Sequence, residues 1–135
     1  MTRGSNRLLF GPISAAAPGA LYEQLTAAVK REVAAGRVKA GDALPSLRTL
    51  AADLLVSLIT VKRAYDDLER DGVIYSRQGL GAFVADGAAQ RVRREQRSQT
   101  QLALRAAAHA AQIAGLSEDE LLAMLKAEIT GAKKP

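Results

Sequence analysis

The chain has 135 residues, 48% of them hydrophobic and 24% charged, which suits one folded domain or a small domain with an appendage and argues against wholesale disorder. The absence of cysteine excludes disulfides, thiol catalysis and cysteine-ligated zinc, and a single histidine, His109, argues against a histidine-based metal site. Lys and Arg number 19 against 14 Asp and Glu, and this net charge of +5 points weakly to a polyanionic partner such as nucleic acid.

The first predicted helix covers about residues 20–35, because apolar residues recur there on one face at helical spacing. That face holds Leu21, Leu25, Ala28, Val29 and Val33. Gly36 follows at the position of a left-handed C-terminal cap. A loop over residues 37–42 leads to a second, shorter helix, for which Ser46 is a suitable N-cap and which ends at about Leu54. Its apolar stripe consists of Leu47, Leu50, Ala51 and Leu54.

A third helix is predicted from the N-cap Ser57 to about Asp71. Its buried stripe consists of Val61, Ala64, Tyr65 and Leu68. A short β-type run at residues 73–75, a five-residue turn with two glycines at residues 77–81 and a return strand at residues 82–84 predict a small β-hairpin.

Two more helices are predicted in the tail, over about residues 88–114 and from a capping box at residues 117–120 to about Thr130, with Gly115 between them. The arginines that follow the hairpin read as a solvated helix face: Arg91, Arg93, Arg94 and Arg97. Because a lone two-helix tail cannot bury two apolar faces by itself, these faces are expected to form a dimer contact. The expected dimerisation residues are Leu102, Ala106, Ala110 and Ile113 on the first helix, and Leu121, Leu122, Leu125 and Ile129 on the second.

The order helix, helix, short turn, helix and hairpin is that of a winged helix-turn-helix domain. The predicted fold is therefore mainly α with a small β-hairpin wing, divided into a winged helix-turn-helix domain at residues 1–85 and a helical dimerisation tail at residues 86–135. In such a domain the third helix enters the major groove of DNA, whose width admits one α-helix, and the wing reaches the adjacent backbone or minor groove.

Several segments in fixed order give the chain a specific resemblance. They are LYEQ at residues 21–24, GRVKAGDALPS at 36–46, TVKRAYDDLERDGVI at 60–74 and RQGLGAFV at 77–84. With these segments, residues 21–85 closely resemble the DNA-binding domain of GntR-type bacterial transcription regulators. The short tail and the pair Ala64-Tyr65 resemble the YtrA-like branch, whose members carry only a small helical dimerisation tail. The resemblance implies a homodimeric transcription regulator that binds a double-stranded DNA operator, with repression as the commonest outcome.

Candidate DNA contacts come from the third helix and from the resemblance. On the helical wheel, Ile59, Lys62 and Arg63 project opposite the buried stripe, with Thr60 on one flank. The resemblance adds Arg48 on the second helix and the wing around Gly79, where a glycine lets the backbone approach DNA closely. The expected DNA-binding residues are Arg48, Ser57, Leu58, Ile59, Thr60, Lys62, Arg63, Arg77, Gln78 and Gly79.

The chain departs from the family pattern at two places. The family often has Gly where this chain has Leu55, and a left-handed backbone there costs a leucine about 1 kcal/mol, so the turn either bears this strain or takes another conformation. The family also often has polar residues where Leu58 and Ile59 stand. These apolar side chains suit thymine methyl groups, and in a second version Leu58 packs on the second helix while only Ile59 faces the groove.

Two other classes of function remain open: an architectural DNA-binding protein of low sequence specificity, and an adaptor that uses its winged helix to bind protein. No nucleophile–base pair, metal set or phosphate loop is present, so we expect no enzyme, no cofactor and no metal. No apolar run is long enough for a membrane span, and the N-terminal segment at residues 1–14 does not resemble a signal peptide, so a cytoplasmic protein without a membrane partner is expected. No motif identifies an effector ligand.

Overall fold

The computed structural model describes residues 20–133, which divide into two compact units with the boundary after Arg94. The elements are α1 (Leu21–Ala34), α2 (Leu47–Leu54), α3 (Leu58–Arg70), β1 (Ile74–Arg77), β2 (Gly81–Val84), α4 (Ala88–Ala114) and α5 (Glu118–Lys133). The predicted class, mainly α with a β-hairpin wing, is confirmed. No helix within residues 20–133 is long and apolar enough to span a membrane. The segment at residues 1–14, for which no signal peptide was expected, lies outside the described residues.

Serine caps set the start of the two short helices in the first unit. The hydroxyl oxygen of Ser46 accepts a hydrogen bond from the Thr49 N–H at 3.1 Å, and that of Ser57 accepts one from the Thr60 N–H at 3.1 Å. Each bond satisfies a backbone donor that the first helical turn leaves open. Between the two helices, Leu55 takes a left-handed conformation with φ 59° and ψ 44°. The strained alternative for this turn is therefore the one adopted.

The core of the first unit forms around α3, which packs against both α1 and α2. The apolar stripes predicted for the three helices are the faces that are buried, although Leu21 and Leu47 at the helix starts are only partly covered. Among the largest fully buried side chains are Leu25, Val29, Val33, Leu50, Val61 and Leu68. The opposite face of α3 is consequently left exposed to solvent.

The wing, β1 with β2, is an antiparallel hairpin in which Tyr75 pairs with Phe83 and Arg77 with Gly81. The five-residue turn predicted at 77–81 is therefore wrong at both ends, since Arg77 and Gly81 belong to the strands and three residues remain between them. The loop before α2 also joins this sheet. An antiparallel bridge links Ala43 to Phe83, and the Leu44 N–H donates to the Ala82 carbonyl at 2.9 Å.

The first turns of α4 belong to the core of the first unit. Ala88 and Val92 are each only 2% exposed and lie in the same hydrophobic cluster as the helices. Arg91 donates to the carbonyl of Gly72, just after α3, and Arg93 donates to the carbonyl of Ala34, the last residue of α1, at 2.9 Å. Cationic side chains at helix C-termini satisfy open carbonyls and suit the helix dipole. The prediction of a solvated arginine face missed these two contacts.

The second unit holds the rest of α4 and the whole of α5. Gly115 has φ +72° and ends α4, and the predicted capping box opens α5: the Ser117 N–H donates to the Glu120 carboxylate at 2.8 Å and the Glu120 N–H to the Ser117 hydroxyl at 3.1 Å. The hydrogen bond that the carboxylate accepts from the Ser117 N–H is the largest cause that lowers the pKa of Glu120, and the Ser117 side chain lowers it further. Among residues 95–131 only Ala111 is buried. The tail as described therefore has almost no core of its own.

Candidate DNA-binding surface

The start of α3 presents apolar side chains to solvent. Ile59 is 79% exposed and Leu58 is 43% exposed, so Leu58 is partly covered while Ile59 is open. The neighbouring polar side chains cap the helix instead of projecting outward, because the Ser57 hydroxyl lies 2.7 Å from the Thr60 hydroxyl and also accepts from its N–H. At the start of this helix the isoleucine is therefore open to solvent, while both hydroxyls are engaged in the cap.

Lys62 is held by an acidic residue one turn further along α3. Its Nζ atom lies 2.9 Å from the Oδ2 atom of Asp66, and both side chains are more than half exposed. The structure thus places a carboxylate directly beside Lys62, one of the expected DNA-binding residues.

Arg63 is held by an aromatic ring on α1. Its guanidinium carbon lies 3.8 Å from the ring centroid of Tyr22, and its Nη2 atom donates a hydrogen bond to the Tyr22 hydroxyl at 2.9 Å. Such stacking is attractive because the ring face is electron-rich. The arrangement fixes the direction of a long side chain, and within residues 20–133 no carboxylate forms an ion pair with it.

Arg48 is the second residue of α2 and is exposed. Within the described part of the chain, its side chain makes no hydrogen bond or ion pair. It is therefore a cation that is accessible to an external anion.

The tip of the wing is exposed and built on glycine. Gly79 has φ +78°, a backbone conformation that residues with a side chain rarely adopt. A Cβ added at this glycine would meet no atom within 4 Å. The Leu80 N–H donates to the Arg77 carbonyl at 2.9 Å and closes the turn. Leu80 itself is 68% exposed, and Gln78 beside it is exposed as well. The wing thus presents one apolar and several polar groups at its end.

A cleft of about 400 Å³ separates α3 from the wing. Predicted site residues from both elements line it: Lys62, Arg77, Gln78 and Gly79. Asp66 and Glu69 line it too, so two carboxylates face the two cations there. Glu69 accepts a hydrogen bond from the Ser76 hydroxyl at 3.1 Å, which ties α3 to β1. The remaining predicted contacts lie outside this cleft, on the starts of α2 and α3 and along the outward face of α3.

Tyr65 connects α3 to the loop that enters α2. Its hydroxyl donates to the Pro45 carbonyl at 2.8 Å, and burial raises its pKa. The tyrosine is therefore protonated and acts as a donor that fixes the start of α2, which carries Arg48, relative to α3.

Sequence reasoning missed two partners of the predicted contacts, Tyr22 and Asp66. Tyr22 lies within the LYEQ segment that carried the family resemblance, but 41 positions of sequence separate it from Arg63. The spacing of Lys62 and Asp66, four residues apart on one helix, is the available signal for their pairing.

Residues 21–84 match the model of the family described as bacterial regulatory proteins, gntR family. The chain is 38% identical over 68 residues to the HTH-type transcriptional repressor YtrA of Bacillus subtilis (strain 168), and this alignment covers 50% of the chain. It spans only 52% of that repressor's length, and 14% of the length of another matching regulator from the same organism, YhdI.

Two solved structures have a similar fold. A GntR family transcriptional regulator from Listeria monocytogenes has a TM-score of 0.67 at 26% identity, with 81% of this chain and 95% of that one covered. YtrA from Sulfolobus acidocaldarius, a GntR-family transcription factor, has a TM-score of 0.55 at 26% identity, with 70% of this chain and 98% of that one covered. The resemblance read from the sequence motifs is confirmed, including its YtrA-like character.

Proposed function

Residues 21–84 form a helix-turn-helix domain of the GntR family of bacterial regulatory proteins, and from this premise we propose that the chain is a sequence-specific DNA-binding transcription regulator. One observation supports this most directly. The buried stripe of α3 turns Ile59, Lys62 and Arg63 outward, beside a wing whose glycine tip is exposed. A helix with these outward groups fits the major groove while the wing reaches the adjacent backbone or minor groove.

The proposed contacts divide by chemistry. Arg48, Lys62, Arg63 and Arg77 supply positive charge for phosphates or guanine edges, and Gln78 and the Gly79 backbone supply polar groups at the wing. Ile59, together with the exposed part of Leu58, supplies apolar surface for thymine methyl groups. Ser57 and Thr60 act mainly by fixing the start of the helix.

We propose that the protein acts as a homodimer through the second unit. The eight predicted dimerisation residues are all exposed except Leu121, which is partly covered. Ile113 is 77% exposed, and Leu122, Leu125 and Ile129 lie between 39% and 50%. Two adjacent helices with this much exposed apolar surface favour association, because burial removes that surface from water. On a palindromic site, two copies then place their α3 helices in successive major grooves, about 10 bp apart centre to centre.

We propose that the protein represses transcription. It rests on similarity to a transcriptional repressor and on the physical argument that a dimer bound across a promoter obstructs polymerase. The protein then acts in the cytoplasm, where bacterial DNA lies.

Selection from a pool of random duplexes tests the proposal. The full chain is used to enrich bound duplexes, and its affinity for an enriched duplex is compared with that for a scrambled one by fluorescence anisotropy at several salt concentrations. We expect the enriched duplex to bind at least ~10³-fold more tightly, as specific regulators do. We also expect both affinities to fall steeply with salt, because phosphate contacts release counterions.

Two results argue against the proposal and identify its competitors. A ratio near one between enriched and scrambled duplexes indicates an architectural protein. No binding even at 50 mM salt indicates a protein-binding adaptor. Fusion of the enriched duplex to a reporter promoter then tests repression, which predicts lower reporter output when the chain is expressed.

A further inference from the structure

We propose that Tyr22 is part of the DNA-binding surface, where it positions Arg63 and donates a hydrogen bond from its own hydroxyl to the backbone phosphate that Arg63 contacts. The inference rests on the proposed DNA-binding function and adds to it a residue on α1, outside the helix-turn-helix and the wing.

The two side chains make two separate contacts. The guanidinium of Arg63 lies 3.8 Å from the centre of the Tyr22 ring, and one of its N–H groups donates to the Tyr22 hydroxyl at 2.9 Å. Arg63 is exposed on the outward face of α3, and Tyr22 is half-buried in the first turn of α1. The ring therefore acts as a fixed platform that spares Arg63 much of the side-chain entropy that a solvated arginine loses on binding.

The pair has hydrogen-bond donors that remain free to bind an anion. The Tyr22 hydroxyl accepts from Arg63, so its own proton is directed elsewhere, and within residues 20–133 it has no acceptor. A guanidinium has five N–H donors, of which this contact uses one. The pair thus presents a hydroxyl and a charged guanidinium side by side, a donor set that suits the oxygens of one phosphate.

Charge distinguishes Arg63 from its neighbour on α3. Lys62 is paired with the carboxylate of Asp66 at 2.9 Å, whereas Arg63 is paired with a neutral ring and has no ion pair within the described residues. No carboxylate within the described residues therefore compensates the positive charge of Arg63 before DNA binds. This makes the Tyr22–Arg63 pair the better preformed phosphate contact of the two.

A purely structural role for the pair makes a different prediction. If Tyr22 and Arg63 only tie α1 to α3, their removal lowers the stability of the protein and does not change how its DNA affinity depends on salt. The slope of log affinity against log salt reports counterions released from phosphates, so it responds only to cations that contact DNA.

The test compares the full-length wild type with Y22F, R63A, R63K and the double variant Y22F/R63A on the enriched duplex. Thermal unfolding of each variant confirms that it folds. We expect R63A to reduce the salt slope by about 0.9, and R63K to restore it because the charge returns. We expect Y22F to leave the slope unchanged and to weaken binding about fivefold, the effect of one lost hydrogen bond.

Two further measurements test whether Tyr22 and Arg63 act together and whether they contact the same phosphate. In the R63A background, Y22F should weaken binding less than it does in the wild type, since both groups hold one phosphate. A single methylphosphonate at the contacted position removes that charge, and it should weaken the wild type much more than Y22F/R63A. R70A is the matched control, because Arg70 lies on the same helix, is 71% exposed in its side chain and pairs with Asp67 instead of a ring. Its salt slope should equal that of the wild type.

The outcomes separate the two proposals. If the wild type binds the enriched duplex, and Y22F and R63A each bind it as tightly as the wild type does, the inference is overturned while the DNA-binding function stands. The same holds if the variants only lose stability and keep the wild-type slope and methylphosphonate response. If the wild type binds no duplex, both the function and the inference are overturned.

Discussion

The Nζ atom of Lys62 lies 2.9 Å from the Oδ2 atom of Asp66, one helical turn further along α3. Both residues line the cleft between α3 and the wing, where Glu69 adds a second carboxylate. If Lys62 contacts a DNA phosphate as proposed, that phosphate takes the place beside Lys62 that the carboxylate occupies in the free protein. On this proposal Lys62 exchanges one anion for another on binding, and Asp66 remains nearby as a like charge to the phosphate.

Replacement of this carboxylate should tighten DNA binding. D66N removes the competing charge and keeps a side chain of similar size, so we expect affinity for any duplex to rise by about two- to fivefold, the range of exposed ion pairs. The slope of log affinity against log salt should steepen, because Lys62 then neutralises a phosphate without leaving Asp66 uncompensated. Fluorescence anisotropy between 50 and about 200 mM salt measures both quantities.

D67N provides the control for this prediction. Asp67 lies next in sequence and carries the same charge, but it pairs with Arg70 at the far end of the helix and is only 22% exposed in its side chain. If D66N and D67N increase affinity equally, the gain comes from overall charge, and the proposed competition at Lys62 is wrong.

Local signals in the sequence were sufficient to predict most of the fold. Ser46 and Ser57 cap the helices they were predicted to cap, and the buried stripe of α3 is the predicted one, because capping and helical periodicity depend on residues a few positions apart. The wing was predicted with its turn too long. The pairing of Arg77 with Gly81 depends on the geometry of both strands, which turn composition does not determine.

Contacts between distant segments were the part that sequence patterns did not reveal. Arg63 reaches Tyr22 across 41 positions, and Arg93 reaches the Ala34 carbonyl across 59. Such pairings follow from how the helices pack, and neither residue carries a local signal for its partner. The candidate DNA contacts were therefore predicted as isolated charges, whereas the structure shows which of them are already held by neighbours.

Strain at the turn between α2 and α3 gives a stability prediction. Leu55 has φ 59° and is 82% exposed, so its side chain contributes little burial while its backbone bears the left-handed penalty. L55G removes that penalty, and we expect the free energy of unfolding to rise by up to about 1 kcal/mol. Urea denaturation of the full chain measures the change.

L55A separates relief of strain from loss of the side chain. Alanine also lacks the exposed leucine side chain but keeps a Cβ at positive φ, so we expect no gain in stability from it. Equal stability of L55G and L55A contradicts the assignment of strain to this residue.

Truncation tests the role of the second unit and the place where the first unit ends. A chain ending at Arg94 retains Ala88, Val92 and the two arginines that cap helix ends, and we expect it to be a folded monomer by light scattering, in contrast to a dimeric full chain. A chain ending at Ala85, the boundary predicted from sequence, loses the burial of Val92 and should be less stable by about 2 kcal/mol or more. A dimeric chain ending at Arg94 would show that dimerisation does not need the second unit.

Exposure along the start of α3 predicts how the protein reads thymine. Ile59 is 79% exposed and Leu58 is 43% exposed, so the isoleucine is the main apolar group available to the major groove. Neither side chain forms hydrogen bonds, and the apolar feature of the groove is the thymine methyl. Contact with one methyl group removes apolar surface from water, which stabilises the complex by about 0.8 kcal/mol. A bidentate arginine–guanine contact contributes more, ~1–3 kcal/mol of discrimination against the wrong base. We therefore expect specificity to depend on several modest methyl contacts together with Arg48, Lys62 and DNA shape.

Uracil substitution isolates this contribution, because it deletes the methyl group of thymine and keeps every hydrogen-bonding atom. At the thymine beneath Ile59 in the enriched duplex, we expect uracil to weaken wild-type binding about fourfold, or ~0.8 kcal/mol. The same substitution should have little effect on I59A, because that variant has already lost the apolar contact, and L58A should respond to uracil nearly as the wild type does. Apolar readout by α3 is wrong if uracil at each thymine of the duplex in turn leaves wild-type affinity unchanged. Sensitivity that persists in I59A and disappears in L58A would assign the contact to the less exposed leucine.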